Sequence, residues 1–379
     1  MNTQDFIGLE EGQVNVIIGE NGSGKSTLLS ELAREITYQG RQVIAIANSI
    51  HDKFQSRSKY FHLLGYRSGK NVSQRTIKKA LIKLHNKDPV VKKRIGQILN
   101  YVGYQNEIGF KINILKHISP YEIEELTSLD SQESYELSRI IELVHKIKGD
   151  MRNNFLWYMF DELSTNELGH PLDLIGLLYY EKLLKKLGVI STIEVFLMKD
   201  NAPISLLEAS SGELSFITSL VFIATVIEGN SVILIDEPEN SLHPRWQREY
   251  IAKLMDIFYL HQPTVVCATH SPIVVSGAEV SEQSLSIFKS QNNQLEKLPQ
   301  NSNNLEQLLW EMFGIATPEN RYLSNLITNT LNELAENQID LAQAQRLFNL
   351  LENEVYDPKQ KDVLASVRKL ADKIEQRKV

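Results

Sequence analysis

The sequence predicts a mixed α/β fold, in which two halves of a mostly parallel sheet are separated by a helical insertion and followed by a helical tail. Helical periodicity dominates residues 50–187 and returns from residue 303 onward. Strand-like apolar runs flank the insertion, at 14–18, 42–47, 189–197, 232–235, 265–268 and 285–288. Helices are predicted between several of these runs, and such alternation is typical of an α/β domain.

The composition is that of an ordinary globular chain. The 379 residues are 42% hydrophobic and carry a net charge of −7. A single cysteine, Cys267, excludes a disulfide framework and a thiolate zinc site. No run of 18 apolar residues occurs, and the first residues lack the basic stretch of a signal peptide. We therefore expect a cytoplasmic protein without a membrane span.

The most specific motif follows the first predicted strand. Residues 19–26 match the phosphate-loop pattern G-x-x-x-x-G-K-[ST]. The glycines let backbone N–H groups turn toward phosphate oxygens, and the following helix points its positive dipole end at them. Lys25 is expected to reach the β- and γ-phosphates of ATP, and the hydroxyl of Ser26 to hold Mg²⁺. The predicted nucleotide-binding residues here are Gly19, Glu20, Asn21, Gly22, Ser23, Gly24, Lys25, Ser26 and Thr27.

Another predicted strand, 232–235, is followed directly by two carboxylates. Asp236 is expected to bind Mg²⁺, and Glu237 to orient or deprotonate the attacking water. Successive strand residues point to opposite sides, which suits adjacent acids to different tasks. Residues 161–162 are also Asp-Glu after an apolar run, but the motifs around 236–237 favour the later pair.

Three further motifs surround that pair in order. Residues 210–213 read Ser-Ser-Gly-Glu, residues 239–244 read Glu-Asn-Ser-Leu-His-Pro, and residues 269–272 read Thr-His-Ser-Pro. They resemble the signature, D-loop and switch histidine of ABC-class ATPase heads. The run from Asp236 to Pro244 is similar to the SMC-like, RecF-like and OLD-type branch. The chain also resembles ATPase subunits of bacterial anti-phage systems such as Septu.

The resemblance implies a composite site shared by two molecules. The signature of one head would contact the γ-phosphate held by the loop of its partner, so that a head-to-tail dimer encloses ATP. Ser211 departs from the usual glycine of the signature and Glu213 from the usual glutamine. Residues carried over as nucleotide contacts are Ser210, Ser211, Gly212, Glu213 and Ser241, with Glu237, His270 and Lys25 as the catalytic group.

The inserted region begins with a basic block. Residues 53–94 contain 13 basic residues and a single acid, Asp88. A helix from 75 to 87 would place its cations on one face and its apolar residues on the other. Such a face fits nucleic-acid backbone, an acidic protein partner or a plain solvated surface. The candidate DNA contacts are Arg75, Lys78, Lys79, Lys83, Lys87, Lys92, Lys93 and Arg94.

These observations predict four regions. Residues 1–48 and 189–300 are expected to form the two halves of the ATPase core, 49–188 a helical insertion, and 301–379 a helical docking or oligomerisation region. The tail has no Asp-x-Asp pair, so we expect no nuclease domain in it.

The resulting functional expectation is a regulatory ATPase subunit. It would dimerise around ATP and control a separate effector, such as a nuclease in anti-phage defence. The alternative is a DNA-repair or chromosome-maintenance ATPase that binds DNA through the basic insertion.

Overall fold

The computed structural model contains two β-sheets and eleven α-helices in the part of the chain it describes. That part comprises residues 9–49, 53–65, 71–84, 89–116, 131–149, 155–160, 171–240, 242–280, 284–291, 294–298, 321–354 and 358–376.

The larger sheet has seven strands in the order β11-β10-β1-β9-β8-β2-β3. Its members are β1 (Val14–Ile18), β2 (Val43–Ala47), β3 (Phe61–Gly65), β8 (Val232–Asp236), β9 (Thr264–Thr269), β10 (Leu285–Gln291) and β11 (Gln294–Leu298). All neighbouring strands are parallel except β10 and β11. Strands β1, β2, β8 and β9 are buried along their whole length, as expected for parallel strands covered on both faces.

The smaller sheet is antiparallel, in the order β5-β4-β6-β7. Its strands are β4 (Glu107–Ile114), β5 (Phe155–Met159), β6 (Ile190–Lys199) and β7 (Ala202–Ser205). Burial roughly alternates along β4 and β6, which is the pattern of strands with one covered face.

The helices fall before, between and after the strands. They are α1 (Lys25–Tyr38), α2 (Val72–Leu84), α3 (Pro89–Val102), α4 (Ser131–Gly149), α5 (Pro171–Lys186), α6 (Ser211–Val226), α7 (Pro244–Ile257), α8 (Pro272–Val280), α9 (Arg321–Ala335), α10 (Leu341–Glu354) and α11 (Pro358–Gln376).

Helices cover both faces of the larger sheet. Leu29 and Leu32 of α1 pack with Ile17 on one face. The opposite face carries a larger core that includes Phe216 of α6 and continues into the smaller sheet. Because neighbouring residues of β1 enter different cores, helix α1 and helix α6 lie on opposite sides of the sheet.

The C-terminal helices α9, α10 and α11 form a third core of their own. Leu334, Phe348 and Leu351 are fully or almost fully buried there, together with Leu364 and Ala371. This agrees with the helical periodicity of the tail. The predicted boundaries of the four regions, and the docking role of the tail, stay predictions.

Two secondary-structure expectations need correction. The region 49–188 is not purely helical, because β3, β4 and β5 lie in it. The strand predicted at 189–197 exists as β6 but joins the smaller sheet, not the ATPase core. Alternating burial distinguishes β4 and β6 from the fully buried core strands, and this alternation was present in the sequence.

The described helices offer no membrane span, since none combines the length and apolar character that crossing a bilayer requires.

Candidate functional site

The phosphate loop, the carboxylates at 236–237 and the predicted switch histidine meet at the carboxyl edge of the larger sheet. Strand β9 lies between β1 and β8, with Ile18 beside Thr269 and Asp236 beside Ala268. The residues that directly follow these three strands therefore emerge side by side. This edge is where ligands bind in open parallel sheets.

The phosphate loop adopts a conformation that its glycines make possible. Gly22 and Gly24 have φ angles of +87° and +93°, in a region that side chains disfavour. Gly24 is the N-cap of α1. A Cβ on Gly19 would lie 2.7 Å from the carbonyl oxygen of Ser290, so this position has no room for a side chain.

Lys25 lies inside the loop. Its side chain is only 4% exposed, and Nζ donates hydrogen bonds to the carbonyl oxygens of Gly19 (2.8 Å) and Glu20 (2.9 Å). Burial lowers the pKa of Lys25, and the carboxylates that follow β8 oppose this effect. Burial deprives the Lys25 ammonium of water. A phosphate bound in the loop would therefore stabilise its charged form.

Asp236 is the clearest sign of a cation site. It is 1% exposed, and neither carboxylate oxygen has a hydrogen bond of good geometry in the described chain, although the Ser26 hydroxyl lies near enough to favour the charged form. Burial raises its pKa to about 6, while nearby Ser26 and Lys25 lower it in part. Orphaned buried oxygens of this kind are costly unless a ligand satisfies them.

The donor set fits Mg²⁺ bound together with a nucleotide. Among the described residues, no group of three or more His, Cys, Asp or Glu side chains is arranged to hold a metal ion. Mg²⁺ commonly takes one or two protein oxygens and completes its shell with phosphates and water. Asp236 and Ser26 supply such oxygens, beside two further acids.

Glu237 sits in a strained backbone conformation. Its φ angle is +52°, which is uncommon for a residue with a side chain. One carboxylate oxygen accepts a hydrogen bond from Asn240 (2.9 Å), and the other lies 3.8 Å from Nδ1 of His270. Strain of this type costs about 1–3 kcal/mol and clusters at functional sites.

Glu239 is a site residue that sequence reasoning missed. It is buried, and its Oε1 accepts a hydrogen bond from the backbone N–H of His270 (2.7 Å) while lying 3.0 Å from His270 Nδ1. This contact is the main reason that the pKa of His270 is raised. Burial alone would raise the pKa of Glu239, but the contacts with His270 outweigh it and lower the pKa. The run Asp-Glu-Pro-Glu was the only sequence signal.

Two residues that lie outside the phosphate-loop motif form hydrogen bonds with the loop or with the helix that follows it. The hydroxyl of Ser290 on β10 donates to the carbonyl oxygen of Ser23 (3.0 Å). Lys53 places Nζ 2.9 Å from the hydroxyl of Thr27, and its carbonyl accepts a hydrogen bond from Ser30 of α1. No sequence motif marks either position.

The signature segment begins helix α6 with a capping box. Ser210 Oγ accepts a hydrogen bond from the N–H of Glu213, whose carboxylate accepts one from the N–H of Ser210. The same carboxylate accepts a hydrogen bond from Tyr104 (2.9 Å) and pairs with Lys199 (3.2 Å). Glu213 thus caps the helix and ties it to residues next to the smaller sheet.

The remaining signature residues are placed at the start of that helix. Ser210 and Ser211 are exposed, and Gly212 is buried. Helix geometry leaves the first N–H groups without intrahelical acceptors. Ser241 lies outside the described residues, as do residues 161–162 of the rejected acidic pair.

The basic block is smaller on the surface than predicted. The expectation that Lys78 is available on this basic face needs correction. Its Nζ pairs with Glu181 (2.9 Å) and donates to the carbonyl of Ile193 (2.6 Å). Arg94 is a second correction, because it is only 5% exposed and packs near the ring of Phe258. Arg75, Lys79, Lys83 and Lys93 are exposed, Lys92 is half-buried, and Lys87 lies outside the described residues.

Comparison with known proteins places this site in a family context. Residues 14–276 match AAA_21, described as "AAA domain, putative AbiEii toxin, Type IV TA system". The chain is 24% identical over 267 residues to protein ea59 of Escherichia phage lambda, covering 69% of this chain and 46% of ea59. It is 21% identical over 385 residues to the "Retron Vc95 probable ATPase" of Vibrio cholerae serotype O1 biovar El Tor, covering 77% of this chain and 72% of that protein.

The match to ea59 therefore spans less than half of that relative's length. One solved structure, VirB4 of Thermoanaerobacter pseudethanolicus, is 12% identical and covers 85% of this chain and 86% of its own. Its TM-score of 0.28 is too low to inform the fold. The family match covers more than half of the chain and contains the loop, Asp236, Glu237 and His270. The chain thus belongs to the AAA_21 family of AAA ATPase domains.

Proposed function

We propose that the chain binds ATP with Mg²⁺ at the carboxyl edge of its larger sheet and hydrolyses it in a head-to-tail dimer. The observation that carries the ATPase assignment is the pair of orphaned, buried oxygens of Asp236 beside Ser26 and Lys25. AAA-family membership supports nucleotide binding independently.

Each residue at this edge would have a distinct task toward ATP. The loop N–H groups and Lys25 bind the phosphates, while Asp236 and Ser26 hold Mg²⁺, which neutralises charge on the phosphate oxygens. Glu237 accepts a proton from water as the water oxygen bonds to the γ-phosphorus and the bond to the ADP oxygen breaks. His270 donates a hydrogen bond to the γ-phosphate, with Glu239 holding its ring.

The dimer proposal rests on the signature segment. Helix α1 and helix α6 cover opposite faces of the sheet, and Ser210 and Ser211 at the start of α6 are exposed. The capping box uses the N–H groups of Ser210 and Glu213, so the donors at this helix start that suit a phosphate are the N–H groups of Ser211 and Gly212. A contact with the γ-phosphate in the loop of a second molecule would use them, as the ABC-type resemblance implies.

The biological setting we propose is defence, with the ATPase controlling a separate effector such as a nuclease. Two comparisons support it: the family description names a "putative AbiEii toxin" and a "Type IV TA system", and one relative is described as a retron "probable ATPase". The link to Septu-like systems rests on the sequence resemblance alone. Fold and family membership do not by themselves define an effector.

The DNA-repair alternative depends on the basic block. With Lys78 paired and Arg94 buried, fewer cations are exposed than the sequence suggested. Of the exposed cations that remain, Arg75, Lys79 and Lys83 line a groove, whereas Lys93 does not.

The test of the proposed function compares Glu237→Gln with Glu296→Gln, a substitution of an exposed acid on β11. We expect Glu237→Gln to retain ATP binding, to lose about 100-fold or more of the hydrolysis rate, and to elute as a dimer with ATP. Glu296→Gln should match the wild type in all three. A wild-type rate in Glu237→Gln would contradict the role given to Glu237. No hydrolysis by the wild type, as monomer or dimer, would contradict the ATPase assignment. A lost rate with a monomer would contradict only the dimer.

A further inference from the structure

Strand β3 ends the larger sheet on the side away from the phosphate loop. It pairs only with β2 in the described sheet, in parallel register. The N–H of Val43 donates to the carbonyl of Tyr60, and in a parallel pair alternate residues turn both backbone groups toward one neighbour. The backbone groups of Phe61, Leu63 and Gly65 therefore point away from β2. The N–H of Phe61 donates to the carbonyl of Ser58 (3.1 Å), which leaves the Phe61 carbonyl and the groups of Leu63 and Gly65 at this edge. An edge of this kind can pair with an added strand.

A basic groove runs along one side of this edge. It has a volume of about 510 Å³ and lies between β3, α2 and the C-terminal half of α6. Arg75, Lys79 and Lys83 line it at successive helical turns, and Phe222 and Val226 contribute apolar surface. Burial and the charge of Lys83 lower the pKa of His62, which also lines the groove, and the charge of Glu228 opposes them in part. The described lining of the groove includes three cations and no carboxylate.

A second hollow lies on the other side of the same strand. Its volume is about 630 Å³, and it is lined by residues that include Phe54, Arg57, Phe61 and Leu63. Leu63 is 38% exposed, although it sits in a β-strand of the main sheet. Phe61 and Leu63 line both cavities, so the edge strand is accessible from its two faces.

We propose that this edge binds an extended, acidic segment of a partner protein by strand addition. Backbone groups of the segment would pair with the carbonyl of Phe61 and with the backbone groups of Leu63 and Gly65. Alternate side chains would then face the two cavities. Acidic ones would meet Arg75, Lys79 and Lys83, and apolar ones would meet Phe54 and Leu63.

The geometry favours a peptide over nucleic acid. The outward edge presents N–H donors and C=O acceptors in alternation, and only another polypeptide backbone satisfies both along its length. A phosphate backbone supplies acceptors alone. The cations also lie within a groove, whereas duplex binding favours a basic surface open to many phosphates.

This inference goes beyond the proposed ATPase function and does not depend on it. The surface lies two strands away from β8 and uses none of the nucleotide-site residues. The groove does contact α6, the helix that begins with the signature, so a bound segment would touch the far end of that helix.

The test uses the full chain and a pool of fluorescein-labelled peptides of about ten residues, with Asp or Glu alternating with Val, Leu or Ile. Binding is followed by fluorescence anisotropy. We expect members of the pool to bind, and the double variant Lys79→Glu with Lys83→Glu to weaken them by about tenfold or more, because like charges then face each other. Lys93→Glu, on α3 outside the groove, should leave binding unchanged.

A second variant examines the backbone pairing itself. Leu63→Pro removes an N–H that points outward, leaves the pairing with β2 in place, and should abolish binding. If it does not fold, the double charge reversal alone decides. The proposal is overturned if no peptide binds at about 100 μM, or if the charge reversal has no effect. It is also overturned if duplex DNA of about 20 base pairs competes with the same residue dependence.

Discussion

Asp236→Asn should stabilise the nucleotide-free protein and remove most of the stability that it gains from Mg²⁺ and ATP. Asp236 is 1% exposed, its oxygens have no hydrogen bond of good geometry in the described chain, and its pKa is raised to about 6 from an ordinary 3.8. Carrying the charge at neutral pH therefore costs about 3 kcal/mol relative to the unfolded chain. Asparagine removes that cost, although it leaves Lys25 with one counter-charge fewer. We expect a net gain of about 1–3 kcal/mol.

The pH dependence has a defined sign. Because the pKa of Asp236 is higher in the folded protein, the folded state binds more protons between about pH 4 and pH 6. Its contribution to stability is present below that window and is lost as the pH rises through about 6. The Asp236→Asn variant should lack this loss, so its advantage should grow across the window.

The assay is urea denaturation at several pH values, first with EDTA and then with Mg²⁺ and ATP. Asp256→Asn, at an exposed aspartate paired with Lys253, is the matched control and should change stability little at any pH. Wild type should gain stability with Mg²⁺ and ATP, and Asp236→Asn should gain much less. If Asp236→Asn is less stable than the wild type at pH 7.5 in EDTA, the reasoning about the orphaned carboxylate is refuted.

Three further substitutions examine other parts of the site. Lys53→Met should weaken the binding of a fluorescent ATP analogue about two- to fivefold, because it removes a cation that contacts Thr27 in the first turn of α1. Gly19→Ala should weaken nucleotide binding by about tenfold or more, since its Cβ would lie 2.7 Å from the carbonyl oxygen of Ser290. Glu239→Gln should lower the pKa of His270, so the limb of the ATPase pH profile that reports its deprotonation should move to lower pH.

Each of these variants has a control of similar chemistry. Lys59→Met removes an exposed cation from the same loop as Lys53, Gly229→Ala adds a methyl group where nothing lies within 4 Å, and Glu208→Gln alters an exposed acid. Equal effects of a variant and its control would show that the contact named for it has no specific role.

Local motifs were the part of the site that the sequence could predict. The phosphate loop, Asp236, Glu237 and His270 follow strands that the structure brings to one edge, because parallel strands end together. Glu239, Lys53 and Ser290 could not be identified in the same way. Their roles depend on contacts between elements far apart in the chain, and no local pattern encodes those contacts.

In the insertion, too, contacts between distant residues could not be predicted from local sequence. Helical spacing correctly placed Lys79 and Lys83 on an exposed face but predicted Lys78 there too. Lys78 instead pairs with Glu181, 103 residues further along the chain. The helical reading of 49–188 also overlooked β4, whose alternating side chains are a strand signal within a mostly helical region.

Mixing two inactive variants tests the central claim, a nucleotide site shared between two copies, most directly. Lys25→Ala disables the loop of one molecule, and Gly212→Glu places a negative charge on the signature of the other. If each site combines one loop with the partner's signature, an equal mixture should recover about a quarter of the wild-type ATPase activity, through heterodimers with one intact site. A mixture as inactive as its two components would contradict the shared site.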